Sequence, residues 1–179
     1  MHILFDYGHG GTDPGATYKG RKEADDVLRL GQAVAKQLRT QDIQVDETRT
    51  TNQSLTLQQR TQKEAQKNYD YFISFHRNAF KPEVATGVEI FIYSPTSKAK
   101  PLAEKLQKAL VTIGFKNRGV KTANYYVLKH TKAPALLLEI GFIDNSKDNK
   151  LFDTKFNEII DTIANIIATK PRPTCDLTI

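Results

Sequence analysis

Cysteine is nearly missing from this sequence: Cys175, in a polar tail, is the only one. A single thiol excludes an internal disulfide and a thiolate cage around a metal. No apolar stretch approaches the length of a bilayer span, so membrane insertion is not expected. The basic residues are scattered, without the dense Lys/Arg block of a nucleic-acid binder, although the formal charge is +6. That excess favours an anionic partner, and composition alone does not choose among nucleic acid, acidic lipid and an anionic cell wall. The start of the chain, His2 to Gly8, lacks a basic leader followed by a long apolar run. If Met1 is native, the expectation is a chain made in the cytoplasm that does not leave by the signal-peptide route.

What is present is an ordinary globular composition, 39% apolar and 26% charged over 179 residues, enough for one domain with a full core. His2 to Asp6 reads as a first strand. Tyr7 to Gly15 follows, with four glycines and one proline, a loop of little side-chain bulk. It lacks the Lys-Ser/Thr ending of a P-loop, which argues against a phosphate cradle. Glu23 to Gln41 has an apolar stripe at helical spacing through Ala24, Val27, Leu28, Gly31, Val34, Ala35 and Leu38. Further strands are expected at Ile43–Thr48, Tyr69–Phe75, Gly87–Tyr93, Tyr125–Leu128 and the stretch following Pro134. Helices are expected at Leu55–Asn68, mostly solvent-facing, and at Lys98–Ile113 and Phe156–Thr169. Asn117 to Lys121 reads as a basic turn. Strands alternating with helices predict an α/β class: a single three-layer domain whose mixed, mostly parallel sheet of about six strands is flanked by helices. That domain covers 1–169. Residues 170–179, with Pro171 and Pro173 among polar residues, read as the start of a linker to a C-terminal wall-binding domain.

Pro134 to Asn145 is the stretch that focuses the chemistry. Ala135 to Leu138 is a short apolar run suited to a strand buried on both faces. Glu139 follows directly, and an ionised carboxylate beside such residues is costly unless a cation or a proton relieves it. Either it ends the strand in water or it has a task. His9 follows the first strand, Glu23 opens the next helix, and His76 ends the third strand. Ligands of open α/β sheets sit at the carboxyl ends of strands. Two imidazoles and one carboxylate are a frequent ligand set for catalytic zinc, and a second carboxylate can serve as general base. Each residue also has a bland reading: Glu23 suits the dipole of its helix, and a strand-end histidine is often structural.

Four stretches carry a resemblance: F-D-Y-G-H-G-G-T-D-P-G-A (Phe5 to Ala16), R-K-E (Arg21 to Glu23), F-I-S-F-H-R-N (Phe72 to Asn78) and A-P-A-L-L-L-E-I-G-F-I-D-N (Ala133 to Asn145). N-R-G-V-K ahead of Y-Y-V-L fits as well. The chain resembles the zinc-dependent N-acetylmuramoyl-L-alanine amidases of the amidase-3 type, found in bacterial autolysins and phage endolysins, from Ile3 to about Ala168. The resemblance implies Zn2+ held by His9, Glu23 and His76, with Glu139 as the catalytic carboxylate. It implies hydrolysis of the amide between N-acetylmuramic acid and the L-alanine of the peptidoglycan stem peptide. Glu139 would take a proton from the attacking water and pass it to the departing amine. Tyr7 stands where this family often has Pro or Ala. Arg77 stands where it usually has a small residue, which predicts a more basic rim beside His76.

Secondary candidates are Asn78, Arg77, Arg118 and His130 for contact with substrate, and Asp6 for orienting a ligating histidine. The alternatives are a non-catalytic peptidoglycan-binding module, disfavoured by the presence of Glu139, and a zinc peptidase acting on wall peptides. A carboxypeptidase places a ligand Glu three residues after its first His, where this chain has Thr12. A nucleic-acid partner is not expected. With a wall substrate and no secretory leader, the expected setting is the host cytoplasm until release, for an endolysin, and otherwise the cell wall.

Overall fold

The fold is described from a computed structural model, whose described residues are 1–169. In chain order the elements are β1 (His2–Tyr7), β2 (Thr17–Tyr18), β3 (Arg21–Lys22), α1 (Glu23–Arg39), β4 (Gln44–Glu47), α2 (Leu57–Glu64), β5 (Tyr71–Asn78), β6 (Val88–Ile92), α3 (Lys100–Ile113), β7 (Asn117–Thr122), α4 (Tyr126–Lys129), β8 (Ala135–Phe142), α5 (Ser146–Thr154) and α6 (Phe156–Ala168). The main sheet has six strands in the order β4-β1-β5-β8-β6-β7, and β2 with β3 forms a separate small hairpin. β4, β1, β5 and β8 run parallel, whereas β6 is antiparallel to β8 and parallel to β7.

Period-two alternation gives this sheet two unlike faces. Ile3, Phe5, Tyr7, Ile73, Phe75, Val88, Ile90, Leu136, Leu138 and Ile140 join the large core with the apolar stripes of α1, α3 and α6. The intervening positions form the other face. Leu4, Phe72, Ala135 and Leu137 pack with Val127 and Leu128 of α4 in a smaller cluster. Farther along the same rows stand Asp6, Ser74, His76, Glu89 and Glu139. These five polar residues thus share one face, toward one end of the sheet. Tyr7 is accommodated on the apolar face by Gly31 of α1, where an added Cβ would sit 2.0 Å from the Tyr7 ring.

The three-layer α/β architecture agrees with expectation, and several local readings need correction. Asn117–Lys121 is not a turn but part of the edge strand β7. An edge strand is covered on one side only, and β7 has no buried residue, so its sequence shows no alternation. Tyr125–Leu128 is not a strand. Tyr125 immediately precedes the short helix α4, and a four-residue apolar run carries no period that separates the two states. The sheet still has six strands because β7 takes the place of that one. The hairpin β2–β3 and the helix α5 were not expected. α5 is started by the Asn145 side chain, which accepts from the N–H groups of Lys147 and Asp148. α2 is shorter than expected and buries polar residues, Arg60, Thr61 and Glu64, against the sheet. β5 and β8 continue beyond His76 and Glu139 to Asn78 and Phe142, so both residues lie inside strands rather than at their ends.

Candidate active site

His9 sits just beyond β1 at φ 59°, a left-handed conformation uncommon for a residue with a side chain. Two buried arginines hold the loop in this shape. Arg49 donates to the carbonyls of Tyr7 (2.9 Å), Gly8 (2.9 Å) and Ala24 (2.9 Å). Arg60 donates to the carbonyls of Tyr7 (2.6 Å) and His9 (2.8 Å). His9 Nδ1 lies 2.8 Å from Asp13 Oδ2, which orients the ring and leaves Nε2 facing Glu23 Oε2 at 3.1 Å. Gly15, at φ 67°, leaves room for this pairing, because a Cβ there would lie 2.7 Å from Glu23 Oε2 and 2.6 Å from the His9 ring.

Glu23 is the first residue of α1 and is 4% exposed. Its carboxylate accepts from the N–H groups of Ala16 (3.0 Å) and Arg77 (3.0 Å), and Oε1 lies 2.9 Å from His76 Nδ1. Burial opposes its ionisation, but the hydrogen bonds and charges of His76 and His9 prevail and hold the carboxyl far below its usual range. Burial likewise works against protonation of His9, yet Glu23 and Asp13 raise its pKa. Ligand atoms of His9, Glu23 and His76 lie within 4.8 Å of one another. The donor set suits a divalent cation: two imidazoles, one ionised carboxylate between them, and a carboxylate on the far nitrogen of one imidazole, as metal-bound histidines commonly have.

Glu139 faces His76 across the β5–β8 ladder. Its Oε2 is sealed from solvent and has no hydrogen-bond partner among the described residues. Burial, followed by the charges of Glu23 and Glu89, pushes its pKa well above the carboxylate range, with Arg77 opposing. A cavity of about 410 Å³ opens over these groups, lined by His9, His76 and Glu139, by Tyr125 and Tyr126 on one wall and by Leu55 and Leu57 on another. Three of the expected quartet, His9, His76 and Glu139, therefore line one cleft, and Glu23 is buried against the two histidines.

The secondary candidates divide. Arg77 is not on the rim. Its side chain is fully buried, donates to Asp26 Oδ2 (2.6 Å) and Asn149 Oδ1 (2.7 Å), and lies over the Phe152 ring at 4.1 Å. It follows His76 in an extended strand, so alternation turns it away from the cleft. Asp6 does not orient a histidine directly. It accepts from Thr48 (2.8 Å), Ser74 (2.7 Å) and Arg60 (2.7 Å), and so reaches His9 only through the bond of Arg60 to the His9 carbonyl. Asn78 donates to Glu89 Oε1 at 2.5 Å. Arg118 Nε donates to Glu89 Oε2 at 3.1 Å, and Lys121 pairs with the same oxygen. His130 is exposed and stacks on Tyr126 with ring centroids 4.2 Å apart. Asp13, Arg49, Arg60, Glu89 and the tyrosine pair were missed. Only Asp13 had a local signal, a carboxylate four residues after His9; the others approach through long-range packing.

Such a cleft, with three residues that could hold a metal ion beside a carboxyl whose pKa burial pushes up, has the make-up that metal-assisted hydrolysis in an α/β domain requires. The particular family is also clear. The chain belongs to the N-acetylmuramoyl-L-alanine amidase family, whose model matches residues 3–169. It is 38% identical over 167 residues to the N-acetylmuramoyl-L-alanine amidase CwlM of Bacillus licheniformis, an alignment covering 89% of this chain and 64% of that protein. It is 35% identical over 163 residues to the sporulation-specific N-acetylmuramoyl-L-alanine amidase of Bacillus subtilis strain 168, covering 87% and 62%. The chain thus spans a little under two thirds of the length of these two curated relatives. Among solved structures, the N-acetylmuramoyl-L-alanine amidase from Clostridium difficile 630 matches with a TM-score of 0.87 and 30% identity, over 93% of this chain and 94% of that one.

Proposed function

We propose that this domain cleaves the amide joining N-acetylmuramic acid to the L-alanine of the peptidoglycan stem peptide, with zinc as its metal. The observation that carries the reading is the grouping of His9, Glu23 and His76 at a cavity that His9, His76 and Glu139 line, with Glu139 Oε2 unpartnered among the described residues. His9, Glu23 and His76 would hold the ion. When bound, zinc supplies Lewis acidity to an amide carbonyl and acidifies a water molecule. Asp13 fixes the His9 ring, and the two buried arginines fix the backbone that carries it. Glu139 accepts the proton of the attacking water and delivers it to the nitrogen of the departing alanine. Its raised proton affinity suits both halves of that exchange. Tyr125, Tyr126, Leu55 and Leu57 give the open cleft apolar surface against which substrate can pack.

The net charge of +6 supports an anionic cell wall as the working surface. No helix among the described residues is long and apolar enough to cross a membrane. An endolysin held in the host cytoplasm until release and an autolysin acting at the wall both fit. The linker reading of 170–179, and any wall-binding domain beyond it, lies outside the described residues.

The test is to incubate the protein with purified walls, with and without a chelator, and to identify the new chain ends. New L-alanine amino termini, released in the metal-loaded sample and lost with the chelator, are expected. Release of reducing sugar ends, or of peptide fragments without free L-alanine termini, would overturn the reading.

A further inference from the structure

A second cavity, about 360 Å³, is lined by Asn78, Phe80, Val84, Glu89, Arg118 and Phe142. Two strand neighbours link it to the cleft. Glu89 stands directly opposite Glu139 on the β6–β8 ladder, and Asn78 follows His76 by two positions on β5. Directly opposed residues of antiparallel strands have Cα atoms about 4.5–5.5 Å apart. That span, one or two residues of an extended peptide at about 3.4 Å each, leads as far as Glu89, whose side chain Arg118 reaches from the next strand through Nε.

The floor of this cavity is a built charge cluster. Glu89 is 4% exposed. Both of its oxygens are taken, Oε1 by Asn78 and Oε2 by Arg118 Nε and Lys121. One carboxylate faces two cations, which leaves the cluster with a net positive charge. Arg118 is also held from behind, with its guanidinium 4.9 Å from the Phe142 ring centroid. Only its Nε is engaged. Nη1 and Nη2 make no hydrogen bond to the described residues, and the side chain keeps 30% of its surface exposed. A planar guanidinium fixed at Nε and open at its two terminal nitrogens is a preorganised fork for a carboxylate. Phe80 and Val84, 64% and 66% exposed, add an apolar rim that suits aliphatic peptide atoms.

We propose that this cavity, through Arg118, is the subsite for a carboxylate carried by the peptide portion of the substrate, one to two residues beyond the scissile amide. The assignment rests on the amidase reading above, and it orients the substrate. The peptide runs from Glu139 across Glu89 toward Arg118, and the sugar lies toward Tyr125 and Tyr126. In a stem peptide whose residue after L-alanine is a γ-linked glutamate, the α-carboxylate branches from the chain at that distance. The subsite therefore distinguishes a free carboxylate there from a carboxamide.

The test uses muramoyl peptides differing only at that group, together with direct binding. The wild-type protein should cleave the carboxylate form with kcat/KM at least about tenfold above the carboxamide form. In Arg118→Gln the ratio should fall to near one. Arg118→Lys retains the charge and the contact with Glu89 but not the fork, so it should give an intermediate ratio. Melting curves of both variants check that the fold survives the change beside Glu89. Calorimetry on the Glu139→Gln protein, with L-alanyl-γ-D-glutamate and its α-carboxamide as probes, reads the subsite without any cleavage. Tighter binding of the carboxylate, lost in the double variant with Arg118→Gln, is expected. Equal handling of the two forms by the wild type, no binding of either probe, or an unchanged ratio in Arg118→Gln would overturn the subsite. Failure of the amidase reading would instead show in the wall digestion, as a different bond cut.

Discussion

Glu139 illustrates the conflict between stability and chemistry at a single residue. A carboxylate with one oxygen sealed from solvent and no donor reaching it destabilises the folded state whenever it is ionised. Its pKa is raised by burial and by the nearby Glu23 and Glu89. Between the ordinary carboxylate value, about 4.3, and that raised value, the folded state binds the proton more tightly than the unfolded chain. Stability contributed by Glu139 is therefore present at low pH and lost as pH rises through the folded pKa. Glu139→Gln removes the titration. In chelator-treated protein the variant should melt near the wild-type temperature at pH 4 and above it at neutral pH. Its activity on walls should fall by about 10²–10⁴-fold. Melting curves that stay coincident across that pH range would show that Glu139 is not held in an adverse environment. The carboxylate itself was legible in the sequence, because an acidic residue directly after four buried apolar ones calls for a physical reason. Its isolation was not legible. That depends on β6 bringing Glu89, not a basic residue, opposite it.

Three consecutive residues of β5 show how an element distributes roles that local sequence does not reveal. His76 points into the cleft, Arg77 into the layer between the sheet and the helices, and Asn78 toward Glu89. A basic residue next to a ligating histidine looks like substrate contact on a linear reading, yet strand alternation decides otherwise. Arg77→Met tests this. Removing the guanidinium leaves Asp26 with Arg21 alone and Asn149 Oδ1 without its donor. The expected cost is about 3 kcal/mol by chemical denaturation, toward the low end for a broken buried pair because Arg21 still reaches Asp26. KM on walls should stay within about twofold. An unaltered stability with a raised KM would return Arg77 to the substrate rim. The same scale explains what else was hidden. Long periodic helices such as α1, α3 and α6 were legible because each buries a full stripe. β7 and α4 were exchanged because an edge strand needs no alternation and a single helical turn is too short to display a period.

For the molecule as a whole, the site ties together regions far apart in the chain: the loop after β1, the start of α1 and the middle of β5. A cation bound by His9, Glu23 and His76 binds only the folded form, since no local segment of the unfolded chain contains all three ligands. At a free zinc concentration of about 100 times Kd, one such site adds about 2.7 kcal/mol. The pH dependence follows from the titrations of the metal-free protein. His9, raised by Glu23 and Asp13, contributes stability that is complete below the unfolded histidine value of about 6.5. That contribution is lost as pH rises through its folded pKa. Glu23, lowered by the two histidines, contributes stability above the ordinary carboxylate range and loses it only on strong acidification. Raising the pH thus weakens the metal-free protein at His9, while it removes the proton that would compete with a bound cation for the same nitrogen. The melting curves with zinc and with chelator should separate progressively from pH 5 to pH 8. His9→Ala and His76→Ala should abolish the separation and lower bound zinc in elemental analysis. A zinc-induced shift of constant size across that range would place the ion on groups that do not titrate there, and so away from this trio.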